Sequence, residues 1–314
     1  MKSLVYQVIA AHTGRLTEQN IPDPGPGQLM IRVTANGVCA SDLPTWANGA
    51  DQPTVLGHEP VGTVVATGPG VAVGNGTVVA GRIFPSFGQY AIADIADIVE
   101  IPESIDPSIA IAEPLGCVAE GLRRTPVPLG AKVAVVGLGF MGLIMIQLLR
   151  NAGVAQLTAI DPREDSRRAA LANGADFAVV GADLPSSAYS LEGSNATSGF
   201  DVVVEASGSQ AGLDLATNLV RPHGALSILG YHQHHRDVDM RTWNWKAIDV
   251  VNAHVRDGNL LRQSTAAALA LQAAGLIDIG RLITNRYPLS RVDEAFAALQ
   301  SKPDGFIKAV IDIA

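Results

Sequence analysis

KVAVVGLGFMG, residues 132–142, joins a hydrophobic strand pattern to a G-x-G-x-x-G motif. Gly137 permits a tight turn, Gly139 lets the backbone approach a pyrophosphate, and Gly142 allows close packing of helix on strand. The helix that starts here directs its N-terminus at the phosphate charge. The stretch therefore predicts the first βαβ unit of a dinucleotide-binding domain. A tight strand-to-helix turn without a ligand is the alternative explanation.

An acidic residue follows at the distance that such a domain requires. Residues 156–160 have a strand pattern, and Asp161 comes directly after it, about 20 positions beyond the glycines. A carboxylate there accepts hydrogen bonds from the adenosine ribose and repels a 2′-phosphate, which favours NAD over NADP. Arg163 weakens this preference, because a nearby arginine can bind the same phosphate. NADP therefore stays open.

Strand and helix patterns alternate along the middle of the chain. The predicted helices cover residues 140–151 and 165–173, and the predicted strands cover residues 132–137, 156–160, 201–205 and 225–229. Alternation of this kind predicts an α/β fold, a doubly wound parallel sheet with helices on both faces.

The beginning and end of the chain have a different pattern. Up to about residue 93, glycine and proline interrupt short β-rich runs, which is typical of a small antiparallel barrel. Helices are predicted at 108–123, 261–274 and 292–299, and a last strand at 308–313. We therefore predict a catalytic domain from residues 1–114 and 256–314, built around a dinucleotide-binding domain at 115–255.

The composition limits the classes of protein to consider. The 314 residues are 47% apolar and 17% charged, which describes a folded globular chain of about two domains. A net charge of -8 without a basic cluster argues against a nucleic-acid surface. No apolar run approaches the roughly 20 residues of a membrane span, and the start is too quickly polar for a secretory signal. The only cysteines, Cys39 and Cys117, cannot form a disulfide framework, so we expect a reducing cytoplasm.

Three short motifs contain residues that can bind a metal ion. They are GVCASD at 37–42, GHEP at 57–60 and AEPLGC at 112–117. Taken singly, none is decisive. A lone cysteine after a strand is usually a small core residue, and a lone histidine is usually held by a structural hydrogen bond.

Together these motifs resemble those of the zinc-containing medium-chain dehydrogenases, the superfamily of alcohol, sorbitol and threonine dehydrogenases. The resemblance runs nearly end to end and includes VEASG at 204–208 and LSRVDEAF at 289–296. It implies a GroES-like β-barrel catalytic domain joined to a Rossmann domain. It also implies hydride transfer between NAD(H) and an alcohol, with a polyol or sugar-like secondary alcohol as the favoured substrate.

The resemblance also implies one catalytic zinc ion. Cys39 and His58 would be ligands, and Glu113 would take the place where relatives use Cys or Glu. Glu59 would lie close enough to alternate with Glu113 or with a water molecule. Cys117 is a competing ligand one helical turn after Glu113, but we interpret it as a packing residue.

Two further residues of the first motif receive roles from the resemblance. Ser41 would take the proton of the substrate hydroxyl. Asp42 would orient His58 through its outer ring nitrogen, as is usual for metal-bound histidines. Relatives often have a histidine relay two residues after this aspartate, but here the position is Pro44, so the proton must leave by another route. Trp46 is expected to line the pocket.

The cofactor contacts that the resemblance implies lie at the ends of three strands. Besides the glycines, Asp161 and Arg163, they are Phe140, Met141, Ala206, Ser207, Gly208, Leu229, Gly230 and Tyr231. The polar run after Tyr231 contains His232, His234 and His235. We expect this loop to shape the pocket or touch the cofactor, although a second metal site is conceivable. Asn244 or Lys246, between Trp243 and Trp245, could either bind sugar hydroxyls or belong to a surface loop.

Two departures from the family pattern concern assembly. Many relatives have a lobe with four cysteines that binds a structural zinc, but residues 74–90 contain no cysteine. Only one zinc is therefore expected, and a tetramer is in doubt. Residues 250–254 resemble the edge strand that relatives pair across a two-fold axis, which predicts a homodimer.

Two alternatives remain at this stage. One is the zinc-free quinone or enoyl reductase branch of the superfamily, which lacks the Cys39 and Gly-His-Glu pattern. The other is a cofactor-binding protein without turnover, which the presence of all the ligand positions argues against.

Overall fold

A computed structural model describes residues 1–190 and 198–313 of the chain. The chain forms two compact units, one from residues 1–116 and 257–314 and the other from residues 117–256. The sequence predicts domain boundaries after residues 114 and 255, and the two units of the structure divide after residues 116 and 256.

The strands are, in chain order, β1 (Lys2–Ala10), β2 (Thr13–Asn20), β3 (Gln28–Gly37), β4 (Thr54–Val55), β5 (Glu59–Thr67), β6 (Val78–Gly81), β7 (Tyr90–Asp94), β8 (Ile98–Glu100), β9 (Lys132–Val136), β10 (Gln156–Ile160), β11 (Phe177–Val179), β12 (Phe200–Glu205), β13 (Val220–Ile228), β14 (Asp249–Asn252), β15 (Ile283–Pro288) and β16 (Lys308–Asp312). The α-helices are α1 (Leu43–Asn48), α2 (Ala112–Arg124), α3 (Phe140–Arg150), α4 (Glu164–Ala172), α5 (Gln210–Leu219), α6 (Met240–Lys246), α7 (Gly258–Ala273) and α8 (Val292–Ser301).

The first unit is built on a mostly antiparallel sheet. Its strands run in the order β15-β16-β3-β5-β6-β8, with β7 also paired to β3, and a separate sheet has the order β2-β1-β4. The long strand β3 is the centre of this arrangement, because it pairs antiparallel with β5, β7 and β16. Its apolar side chains, including Leu29, Ile31 and Val33, are buried in the core. Because β3 carries β5 and β16 beside it, residues far apart in sequence meet at its end.

Helix α8 closes the core of this unit through one carboxylate. Asp293 accepts hydrogen bonds from the hydroxyl of Tyr6, from Nε1 of Trp46 at 2.7 Å and from the amide of Gly14 at 3.2 Å. Trp46 is 2% exposed and stacks on Phe296 with the ring centroids 5.4 Å apart. The expectation that Trp46 lines a substrate pocket is therefore wrong, since its ring belongs to the core.

The second unit contains the predicted doubly wound sheet. Its six strands are all parallel and run in the order β11-β10-β9-β12-β13-β14. Numbered within the unit, this is the order 3-2-1-4-5-6 of dinucleotide-binding folds, in which ligands bind at the carboxyl ends of the strands. Helix α3 is apolar nearly all round and is buried along most of its length.

One predicted helix differs from the observed one. The pattern over 108–123 becomes a helix only at Ala112, because residues 107–109 form a separate 3-10 turn. Asp106 caps that turn by accepting a hydrogen bond from the amide of Ser108 at 2.8 Å. Across residues 1–190 and 198–313, no helix combines the length and hydrophobicity that crossing a membrane requires.

Candidate metal and cofactor sites

Three of the predicted metal-binding side chains meet at the end of β3. One ligand atom each from Cys39, His58 and Glu59 lies within 4.8 Å of the other two. The pairing of Gly37 with Glu59 explains this meeting, because it sets the chain leaving β3 beside the chain entering β5. Within the described part of the chain, no other group of His, Cys, Asp and Glu atoms meets the same spacing.

Glu59 has a buried counter-charge that the sequence analysis missed. The Nζ atom of Lys308 lies 2.5 Å from Oε2 of Glu59 and also donates to the carbonyl of Val38 at 3.0 Å. Both charged side chains are almost inaccessible, at 6% and 1% exposure. A Cβ atom at Gly37 would lie 1.9 Å from the Glu59 carboxylate, so glycine is required there. The one available signal is a lysine directly before the apolar run Ala309–Ile311 of β16.

His58 is surrounded by anionic groups. Its Nδ1 atom lies 3.3 Å from Oδ2 of Asp42, and this buried oxygen has no hydrogen-bond partner. Burial lowers the pKa of His58, but Asp42, Cys39 and Glu59 raise it by more, to about 12. These anionic groups favour a proton on His58, and a divalent cation would balance the same negative charge.

The donor set fits zinc. Thiolate sulfur, imidazole nitrogen and carboxylate oxygen are the usual zinc ligands, and three of them leave a fourth position for substrate. Donors around one zinc lie about 3.3–3.8 Å apart, given ordinary bond lengths. The ligand atoms lie within 4.8 Å of one another, so they would move closer together to hold the ion.

Two other predicted or competing ligands lie outside this group. Glu113 is buried in the first turn of α2 and lines a small cavity together with Arg82, Arg262 and Thr265. Cys117 is half-buried and is not part of a disulfide. The structure therefore brings Glu59, and not Glu113, to Cys39 and His58, and ligation by Glu113 stays a prediction.

Ser41 lies beside the thiol and faces solvent. Its hydroxyl donates to Sγ of Cys39 at 3.3 Å. Pro44 occupies the first turn of α1, where a proline is well tolerated. The Ser41 hydroxyl thus lies next to a candidate ligand and is exposed to water.

The glycine turn is tightly packed at Gly137 and Gly142 and open at Gly139. At Gly137 φ is 97°, and a Cβ there would lie 2.6 Å from the amide nitrogen of Ser207. At Gly142 a Cβ would meet the carbonyl oxygen of Gly137 at 2.0 Å. Gly139 caps α3 and has no atom within 4 Å of its Cβ position, which leaves the backbone open to a ligand. Phe140 and Met141 form the first turn of that helix.

Asp161 is positioned by the same turn. Its Oδ2 atom accepts from the amide of Leu138 at 2.8 Å, and its Oδ1 atom accepts from the amide of Arg163 at 2.8 Å. The Arg163 guanidinium lies 3.9 Å from Asp161 and 3.6 Å from Asp165. A 2′-phosphate would need the positive charge of Arg163, and the two carboxylates already balance that charge.

At the end of β12, Glu205 organises the predicted cofactor contacts from beneath. Its side chain is fully buried, and Oε1 accepts from the amides of Ser207 at 2.7 Å and Gly208 at 3.0 Å. Its carbonyl accepts from the amides of Leu229 and Gly230, both at 2.8 Å. The amide of Ala206 is also taken, by the carbonyl of Val136 at 2.7 Å. Because these amides already donate hydrogen bonds within the protein, a cofactor could contact only the side chains and carbonyls of these residues, together with the half-exposed Tyr231.

The polar run after β13 does not form a second metal site. His232 lies 2.8 Å from the Glu205 carboxylate, and His234 and His235 are exposed. The residues from Trp243 to Lys246 form part of α6 and not a loop.

Lys246 is a structural residue, so both expectations for it, a contact with sugar hydroxyls and a place in a surface loop, are wrong. It is fully buried and donates to the carbonyls of Thr217, Asn218 and Val220 at 2.6, 3.1 and 2.9 Å. Burial lowers its pKa to about 8. Asn244 and Trp245 remain exposed.

A doubly wound sheet with an open glycine turn, in one chain with a barrel that gathers thiol, imidazole and carboxylate, defines a dinucleotide-dependent metalloenzyme. Comparisons with known proteins identify its family. Residues 141–273 match the zinc-binding dehydrogenase family, and residues 25–103 match the alcohol dehydrogenase GroES-like domain. The chain belongs to the zinc-dependent medium-chain dehydrogenase superfamily, and it is an oxidoreductase that works with zinc and a nicotinamide cofactor.

The similar proteins cover nearly the whole chain. L-threonine 3-dehydrogenase of Pyrococcus abyssi is 26% identical, with 94% of each chain covered. Sorbitol dehydrogenase of Gallus gallus is 26% identical, with 94% of this chain and 92% of that protein covered. The structure of alcohol dehydrogenase TADH from Thermus sp. ATN1 superposes with a TM-score of 0.85 at 23% identity and covers 100% of both chains, which confirms the predicted fold.

Proposed function

We propose that this protein transfers a hydride between NAD(H) and a polyol or sugar-like secondary alcohol, at a single zinc ion held by Cys39, His58 and Glu59. The observation that carries the proposal is the meeting of these three ligand atoms within 4.8 Å. The zinc-free reductase alternative is disfavoured, because it would leave this cluster of ionisable groups without a use.

Zinc bound there supplies Lewis acidity, which lowers the pKa of a substrate hydroxyl so that hydride can leave the adjacent carbon. The chain's own residues prepare the site. The Asp42 carboxylate lies 3.3 Å from Nδ1 of His58, Lys308 holds one oxygen of Glu59, and the other oxygen of Glu59 would bind the ion. Ser41 takes the hydroxyl proton and passes it to solvent, since Pro44 cannot relay it.

The substrate and cofactor follow from chemistry and analogy. The named relatives act on threonine and sorbitol, which are small polar hydroxyl compounds. A carboxylate among the ligands distinguishes this site from one built on cysteine and histidine alone. NAD is preferred over NADP because Asp161 occupies the ribose position and Arg163 is balanced by carboxylates.

Assembly and compartment complete the proposal. Strand β14 forms one edge of the parallel sheet, and Val250 on it is 39% exposed, so we infer a homodimer that joins these edges. Neither cysteine is part of a disulfide, which is compatible with the cytoplasm.

The test uses the full chain. Purified protein is analysed for bound metal and then assayed with a panel of polyols, sugars and short alcohols, each with NAD and NADP, by the absorbance of the reduced cofactor. We expect one zinc per chain and turnover that chelator removes and added zinc restores. Turnover without metal would favour the zinc-free reductase. Cofactor binding without turnover on any alcohol would favour a binding protein.

A further inference from the structure

Glu205, His232 and Arg236 form, together with the backbone of Gly208, a closed hydrogen-bonded ring at the carboxyl ends of β12 and β13. We infer that this ring positions the nicotinamide half of the cofactor, which rests on the proposed use of NAD. None of the three side chains is needed as a contact to the cofactor. They act through the two turns that they connect.

The ring is complete in the structure. The Arg236 Nε atom donates to Nδ1 of His232 at 3.0 Å, and Nε2 of His232 lies 2.8 Å from Oε2 of Glu205. The other oxygen of Glu205 accepts from the amide of Gly208 at 3.0 Å. A second Arg236 nitrogen donates to the carbonyl of Gly208 at 2.7 Å, which closes the ring.

The direction of these bonds assigns the histidine tautomer. Arginine can only donate, so Nδ1 of His232 accepts and Nε2 carries the hydrogen that is donated to Glu205. The fully buried carboxylate of Glu205 thereby obtains donors on both oxygens, as a buried charge requires. His232 is the link that joins the half-buried Arg236 to that carboxylate.

Close contacts show that the two turns joined by the ring lie directly against each other. Gly208 has φ of 66°, and a Cβ there would lie 2.8 Å from the carbonyl oxygen of Tyr231. A Cβ at Gly230 would lie 2.4 Å from the amide nitrogen of Gly208 and 2.5 Å from Oε2 of Glu205. Displacing one turn therefore displaces the other.

The order of the sheet assigns the ring to the nicotinamide side. The glycine turn after β9 takes the pyrophosphate, and Asp161 after β10 takes the adenosine ribose. The remaining mononucleotide must lie over the other half of the sheet, where β12 and β13 end. Loss of the ring should therefore weaken binding of the nicotinamide end and leave the adenosine end intact.

The experiment compares two probes on the full chain, NADH and ADP-ribose, the latter lacking the nicotinamide. For His232→Leu we expect the Kd for NADH to rise about 10-fold and the Kd for ADP-ribose to change less than about twofold. His232→Gln should restore NADH binding, because its amide can donate to Glu205 and accept from Arg236. If His232→Leu does not fold, Arg236→Leu at the less buried end tests the same ring.

Arg221→Leu is the matched control. It removes an ion pair with Asp201, 2.7 Å in length, at the opposite ends of the same strands, so it reports general loss of stability. If the wild-type protein binds NADH and His232→Leu changes the Kd values for NADH and ADP-ribose equally, or changes neither, the ring does not position the nicotinamide half. Failure of the wild-type protein to bind NADH at all would overturn the proposed function, and the ring proposal with it.

Discussion

Substituting Lys308 by Met should destabilise the protein strongly when no metal is bound. Methionine keeps most of the aliphatic stem, so the change chiefly removes the positive charge that lies 2.5 Å from Glu59. At that distance the attraction is about 7 kcal/mol for an effective dielectric constant of 20. Part of it offsets the cost of burying both groups, and breaking a buried pair by removing one partner costs about 3–5 kcal/mol. We therefore expect the free energy of unfolding to fall by that amount.

The assay is urea unfolding followed by circular dichroism, in chelator and again with saturating zinc. The loss should be smaller with zinc, because the ion supplies positive charge to the same carboxylate. Lys308→Met combined with Glu59→Gln is the control, since it removes both charges and should recover part of the stability in chelator. A loss below about 1 kcal/mol in chelator, or strictly additive effects in the double variant, would refute the reasoning.

Three further predictions concern the site and the second unit. Cys39→Ala should abolish alcohol oxidation while the Kd for NADH, measured by fluorescence, stays within about twofold; unchanged turnover would remove the thiolate from the mechanism. Glu59→Gln should weaken zinc binding by about 10–100-fold, measured by competition with a chelating dye, whereas Glu113→Gln should leave it nearly unchanged; the reverse result would make Glu113 the ligand. Lys246→Met leaves three carbonyls without their donor and should lower the free energy of unfolding by about 2–3 kcal/mol at unaltered zinc content. If the variant keeps full stability but has an altered KM for a sugar substrate, Lys246 contacts the substrate instead.

Local patterns were sufficient to predict the parallel sheet. The glycine turn at Gly137 and the acidic Asp161 follow from backbone freedom and charge within about 30 residues. The barrel could be predicted only in outline, because its pairings join distant strands. The choice between Glu59 and Glu113 is an example. It depends on the register that sets Gly37 opposite Glu59, which the sequence does not reveal.

Buried polar residues were the main source of error. The sequence predicts that Trp46 lines the pocket and that Lys246 either binds sugar hydroxyls or belongs to a surface loop, because such side chains usually have a reason to face solvent or ligand. Each instead has its polar atoms satisfied inside the fold, by three carbonyls and by Asp293 respectively. A local sequence pattern cannot predict hydrogen bonds between a polar side chain and partners far away in the chain. Lys308 was missed for the same reason, since its partner Glu59 is 249 residues away.

The position of Lys308 in β16 has a consequence for biosynthesis. Cys39, His58 and Glu59 leave the ribosome well before Lys308, which follows Glu59 by 249 residues. The whole of the second unit, residues 117–256, is synthesised between them. The counter-charge of Glu59 can therefore join the first unit only after the chain has passed through the second.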